Sequence, residues 1–329
     1  MYKIYLSVKT NTFISFGVCL CLVSMTSWAQ NTPNDGDWSK RYVVLKNTPE
    51  AEWMIRLGDV DNLGFGWEAG FDPFSGAEAA WHSFPWETDP QEILGMDMIL
   101  TPSSTGTKEA PCSGDGYSGE FQNLLEKYGR TTFPFHIPLK TPEAKNISAA
   151  TMMLFIDDFQ APVFCSKFEV LLNNRRAPFL ESIINSAEQS GPIGKLITVK
   201  VPDDFLNELS KDTLHLFIDD PTTAAADGFA VDFIKILINP KSANQIKGGL
   251  GGIVVDDETN EPIEGASISV DGIPDNYKTD AAGKFSISNL PAGLNIIKVN
   301  ISKFGTRMFS VDVIKGKTNT VELRIKPQK

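Results

Sequence analysis

The sequence predicts an all-β chain made of two antiparallel sandwiches in tandem. The larger is a jelly-roll-like β-sandwich with two short helices over residues 37–240, and the smaller covers 252–329. Three observations carry this reading. Short runs rich in β-branched and aromatic residues recur along both regions, separated by turn residues at the spacing of antiparallel strands. The stretch from Asn239 to Gly252 holds Pro240 and four glycines, which makes 241–251 a linker by composition. The charge also changes across it. Residues 30–246 carry 17 basic and 31 acidic groups, whereas residues 247–329 carry 11 and 10.

The elements follow in order. Residues 1–29 read as a secretory signal peptide. Lys3 and Lys9 precede an apolar run from Phe13 to Val23, and Ser27-Trp28-Ala29 offers small residues at the cleavage positions. That run is too short for a membrane span. The mature chain is therefore expected to be exported without a span, to the periplasm, the cell surface or the medium. Strands are expected over 41–45, 52–57, 97–101, 133–139, 151–156, 163–172, 195–201, 213–218 and 229–238. The two helices are expected over 178–190, with Phe179, Ile183, Ile184 and Ala187 on one face, and over 202–209, opened by Pro202-Asp203-Asp204. Nine strands in this length suit a jelly roll. Beyond the linker, strands are expected over 252–255, 266–270, 284–287, 295–301, 308–313 and 319–325, and Gly283 closes a tight turn that begins at Asp280.

Residues 252–329 also resemble a known family. The matching positions are Gly252, Asp256, Pro262, Gly265-Ala266, Thr279-Asp280, Gly283, Phe285 and Leu290-Pro291-Ala292-Gly293. Together they are similar to the carboxypeptidase regulatory-like domain, whose fold is a small prealbumin-like β-sandwich. Leu294-Asn295 departs from the family pattern after the Pro-x-Gly turn, and Lys303-Phe304-Gly305 replaces its Gly-Tyr. The resemblance implies a spacer or docking module and not a peptidase. This region also holds no histidine or cysteine with which to build a zinc or thiol site. The larger region is similar only in style to calcium-stabilised carbohydrate-binding jelly rolls, through its acidic strand ends.

Those acids are the first chemical signal. Leu-Phe-Ile-Asp-Asp occurs twice, ending at Asp157-Asp158 and at Asp219-Asp220, and Asp59-Val60-Asp61-Asn62 ends another strand. Strict alternation puts Asp232 on the same apolar face as Ile234 and Ile236, where an unpaired charge is costly to bury. Asp59, Asp61, Asp219, Asp220 and Asp232 are the candidate metal ligands, with calcium as the cation, because clustered carboxylate oxygens suit it. Asp59 and Asp61 join Asp232 if the first and last strands pair. The stretch is not an EF-hand, since Leu63 and Gly70 stand where a ligand and the closing glutamate belong. Turn capping through side-chain oxygens is the competing explanation for the same aspartates.

The second signal is aromatic. Phe65, Trp67, Phe71, Phe74, Trp81, Phe84 and Trp86 crowd into residues 62–86 among four glycines. Trp67, Trp81, His82 and Trp86 are the candidate ligand-binding residues, with a sugar ring stacked on the indoles. A Gly-rich loop burying its own aromatics as a satellite core explains the same composition. Cys112 and Cys165 remain after signal removal, and a bridge between them or a pair of free thiols are both open.

Some functions are disfavoured. The acidity of 30–246 repels nucleic acid and anionic lipid. No histidine motif, nucleophile elbow or phosphate loop is present. The expected function is non-catalytic binding, with calcium as a structural cofactor and a glycan as partner. A structural or adhesive protein bound to a cell-surface protein is the alternative. A polysaccharide hydrolase is third, because two carboxylates suffice for that chemistry.

Overall fold

The computed structural model describes residues 35–82, 96, 98–100, 135–139, 146–157, 159, 165–188, 194–223, 229–241 and 245–326. The signal segment, Trp86, Cys112 and Asp158 lie outside them.

The first unit is a β-sandwich, as the strand series implies. Its main sheet runs β1 (Tyr42–Lys46), β2 (Ala51–Leu57), β10 (Phe229–Pro240), β5 (Ala150–Asp157) and β8 (Lys195–Val201), with β3 (Met98–Leu100) also on β10. Every pairing along it is antiparallel. The last strand, β10, meets the second strand, β2, and not the first, with Leu57 opposite Ile234. The facing sheet runs β4 (Phe135–Pro138), β9 (Thr213–Asp219), β6 (Glu169–Leu172) and the two-residue β7 (Arg175–Arg176). Between the sheets lies a core that includes Ile55, Leu154, Ile156, Val170, Leu216, Ile218, Ile234 and Ile236. Among the described residues no helix is long and apolar enough to cross a membrane.

Three local expectations need correction. Of the described residues of the strand expected over 163–172, only 169–172 are in a strand, and Cys165 sits at φ 61° in a turn. Cys165 is disulfide-bonded, while its expected partner Cys112 falls outside the described residues. Helix α1 (Pro178–Ile184) stops well before residue 190. Asn185 ends it, because its side chain is spent on Phe168, accepting from that N–H and donating to that C=O at 2.8 Å each. Residues 203–210 form a 3-10 helix, not an α-helix.

A larger correction concerns β10. The main core takes Phe229 and Val231 and then Ile234, Ile236 and Ile238, while Phe233 and Leu237 face the other way. The parity changes because the register with β5 slips between Val231 and Phe233. Asp232 is the extra residue of a β-bulge, and the bulge turns it away from the face that strict alternation assigns. That other face is covered too. The Gly-rich segment after β2 lies across it as a third layer, bringing Val60, Phe74 and Ala79 onto Met54, Phe155, Phe233 and Leu237.

Gly58 makes this close approach possible. Its φ is +88°, and a Cβ there would lie 2.0 Å from the backbone oxygen of Asp232. Gly58→Ala is expected to destabilise the first unit by about 3 kcal/mol or more, from left-handed strain plus displacement of β10. A urea titration measures it. A loss under about 1 kcal/mol would mean that the bulge shifts freely.

The second unit places β12 (Ser267–Val270), β13 (Asn276–Lys278), β15 (Gly293–Ile301) and β16 (Gly305–Val313) in one sheet. The other holds β14 (Lys284–Pro291), β11 (Lys247–Asp256) and β17 (Thr318–Ile325), with β11 and β17 parallel. Its own core includes Leu250, Val254, Ile268, Phe285, Ile287, Val299 and Leu323. Residues 247–251, expected in the linker, form the start of β11.

The units dock directly. Leu294 pairs with Ile197 of β8 and joins the first unit's core together with Ile296. Ser75 accepts from the Lys315 N–H at 2.8 Å, and Lys195 reaches both Asp312 (3.0 Å) and Glu78 (3.2 Å).

Candidate metal centre

The turn after β2 wraps round the bulge in β10. Gly58 releases the chain from the sheet. Asn62, Leu63 and Gly64 then follow at φ 66°, 57° and 79°, three consecutive left-handed residues. Such a conformation is costly for a leucine and persists only where the surroundings impose it. It is fixed by the Asp61 carboxylate, which accepts from the Gly64 N–H at 2.9 Å, and by the Asn62 amide, which donates to the Gly66 carbonyl at 3.0 Å. The result aims the Leu63 N–H at Asp232 Oδ1, 3.4 Å away.

Asp59, Asp61 and Asp232 converge here, each offering a carboxylate oxygen within 4.8 Å of the others. Asp59 and Asp232 are buried, and Asp61 is half-buried. Asp59 Oδ1, Asp232 Oδ2 and Asn62 Oδ1 are buried with no hydrogen-bond partner. Burial first, and the neighbouring Asp61 charge second, push the Asp59 carboxyl up to about 7. The same two causes, with Asp59 added, raise Asp232 well above the usual carboxylate range.

A cation already stands close. Arg56 is fully buried, and its guanidinium donates to the carbonyls of Asp35, Asp37, Lys40 and Gly58. It feels the charges of Asp232 and Asp59, yet it supplies one positive charge to three carboxylates. The centre therefore resists full ionisation of its carboxyls without a further counter-charge, and it has an all-oxygen donor set and buried oxygens without partners. A hard divalent cation that takes six to eight oxygens at about 2.4 Å fits that donor set.

Asp219 and Asp220 do not join this centre. Their strand β9 lies in the facing sheet, while Asp232 belongs to the main one. Asp220 caps a turn, accepting from the N–H groups of Thr222 and Thr223 at 3.1 and 3.0 Å and from Lys167 N–H at 2.8 Å. Asp219 is buried opposite Glu169. In the other repeat Asp157 Oδ2 meets His82 Nε2 at 3.0 Å. Burial raises the Asp157 carboxyl, and the bond to His82 opposes the rise.

The aromatics divide. Trp67 turns inward, donates its indole N–H to Val60 O at 3.0 Å and stacks on Phe71. His82 is buried beneath Phe65, ring centroids 4.1 Å apart, with Asp157 at its edge. The Trp67 indole N–H and the His82 ring are thus engaged within the third layer. Trp81 is 63% exposed.

The chain also carries a recognisable sequence family. Residues 249–326 match the family model of the carboxypeptidase regulatory-like domain. The regulatory-like domain is thus the second unit, and the first unit lies outside the match. No curated protein matches the chain. Among solved structures, a Bacteroides uniformis ATCC 8492 protein provisionally described as carbohydrate-binding is 17% identical, with a TM-score of 0.22 over 24% of this chain and 41% of that one. Less than half of that protein's length is spanned. The 5-hydroxyisourate hydrolase of Klebsiella pneumoniae is 21% identical, with a TM-score of 0.21 over 25% and 92%. The Streptococcus agalactiae minor pilin GBS52 is 17% identical, with a TM-score of 0.24 over 55% and 83%.

Outside the regulatory-like domain, sequence reading missed two buried cations, Arg56 and Lys235. A signal for Lys235 existed. β5 and β10 read as nearly continuous apolar runs, the mark of strands covered on both faces. Any charge in such a strand must be buried with partners. Lys235 has them in Asp35 and Glu50.

Proposed function

We propose that the chain is an exported, non-catalytic binding protein with a structural calcium ion at Asp59, Asp61 and Asp232, and a glycan as its ligand class. The observation that carries this reading is the buried, all-oxygen centre with partnerless carboxylate oxygens on Asp59 and Asp232. The cation would join the left-handed turn to the bulge and so hold the aromatic layer against the sheet. The exposed Trp81 indole then offers a preorganised face for a sugar ring.

A glycan array read with the intact protein, in calcium and in chelator, tests this. Retention without release of reducing sugar is expected. Trp81→Ala should weaken retention on the order of tenfold while the melting curve stays put, because the side chain is exposed. Retention unchanged by Trp81→Ala contradicts the placement of the sugar, and sugar release would favour the hydrolase reading.

A structural or adhesive protein with a protein partner is the second reading. The docking of the two units through Leu294, Ile296 and the Lys195 ion pairs favours it, since a rigid two-unit body suits a spacer.

A further inference from the structure

The sequence holds three histidines, and the fold pairs two of them. β4 and β9 are antiparallel neighbours whose register sets His136 directly opposite His215. Alternation buries Phe135, Ile137, Leu214 and Leu216 and turns both imidazoles to the outer face of that sheet. The Nδ1 atoms lie 2.8 Å apart, and the rings meet edge to face at 89°. At that separation one Nδ1 donates a proton and the other accepts it with its lone pair. The His215 backbone is held in place by Asn173, whose side-chain oxygen accepts its N–H and whose N–H donates to its carbonyl, both at 2.8 Å.

We propose that His136 and His215 form a two-imidazole chelate for a borderline divalent transition-metal ion, with Zn2+ as its probe. The ion takes the place of the shared proton: the donor ring loses its Nδ1 proton to solvent and takes one up on Nε2, so both rings stay neutral and each gives the ion its Nδ1 lone pair. Zinc–nitrogen bonds of about 2.0 Å at a tetrahedral angle set two nitrogens roughly 3.3 Å apart. Small side-chain rotations on this outer face open the pair that far, while the paired strands keep the rings together. The remaining coordination positions face outward, toward water or a donor group from a partner. Imidazole favours zinc, nickel and copper over calcium, so this site is chemically separate from the aspartate centre and does not depend on it.

Zinc chloride titrated into untagged, full-length protein in the presence of excess calcium tests the proposal by calorimetry. Wild type should bind one equivalent. His136→Ala and His215→Ala should each weaken binding more than about tenfold, as expected when a ligand is lost. Asp232→Asn should bind zinc as wild type does. Should either alanine variant fold poorly, His136→Gln and His215→Gln provide the same comparison, and calcium binding checks that each remains folded. Absence of zinc binding in wild type, or wild-type affinity in either single histidine variant, overturns the proposal. Wild-type affinity in both variants would assign the zinc to carboxylates.

Discussion

Lys235→Ala is expected to cost the first unit about 3–5 kcal/mol, as removing one partner of a buried ion pair does. Lys235 lies on β10 with no exposed surface. Its ammonium donates to Asp35 and, at 2.7 Å, to Glu50, and it sits 4.4 Å from the centroid of the Phe74 ring. Asp35 and Glu50 are themselves buried. Truncation leaves two carboxylates facing an apolar layer, and it also removes the cation from under Phe74, which anchors that layer to Phe233. Urea denaturation should show a lower midpoint with an unchanged slope. Lys326→Ala, at a side chain 78% exposed, should change stability by less than about 0.5 kcal/mol. A Lys235→Ala loss below about 1 kcal/mol would mean that water reaches Asp35 and Glu50.

The strand series was legible because two signals agreed at each strand. β-branched and aromatic runs set the positions, and Gly, Pro and Asn punctuated them. The second unit was legible beyond that, since its turn residues match a family at fixed spacings. Asp59 and Asp61 reach Asp232 because β10 pairs with β2, the strand they follow, while the first strand, β1, lies outside β2 at the sheet edge. Asp219 and Asp220 went astray for a topological reason. Consecutive strands β9 and β10 look like neighbours in sequence, but they lie in opposite sheets. The bulge at Asp232 was also invisible, because one extra residue changes the face of a side chain without changing composition. Trp67 and His82 fit either a sugar platform or a third layer equally well. The apolar outer face of Met54, Phe155, Phe233 and Leu237, which Trp67 packs against, exists only once the strands are assembled.

The proposed calcium ion carries the second large expected effect. Asp59, Asp61 and Asp232 repel one another, and Arg56 compensates only part of that charge. A cation that binds only the folded chain adds about 2.7 kcal/mol at a hundredfold excess over its dissociation constant. For a unit of this size that corresponds to roughly 5 to 10 °C in melting temperature. Asp232→Ala should lose this response, because it removes the most deeply buried of the three carboxylates. Asp220→Ala should keep it, since Asp220 caps a turn in the other sheet.

The most direct measurement is a thermal melt of untagged protein in calcium and in chelator, run in parallel on wild type, Asp232→Ala and Asp220→Ala. The expected result is a transition that falls on chelation in wild type and Asp220→Ala and does not move in Asp232→Ala. A wild-type transition unmoved by chelation, or an Asp232→Ala protein that responds as wild type does, would contradict the calcium centre.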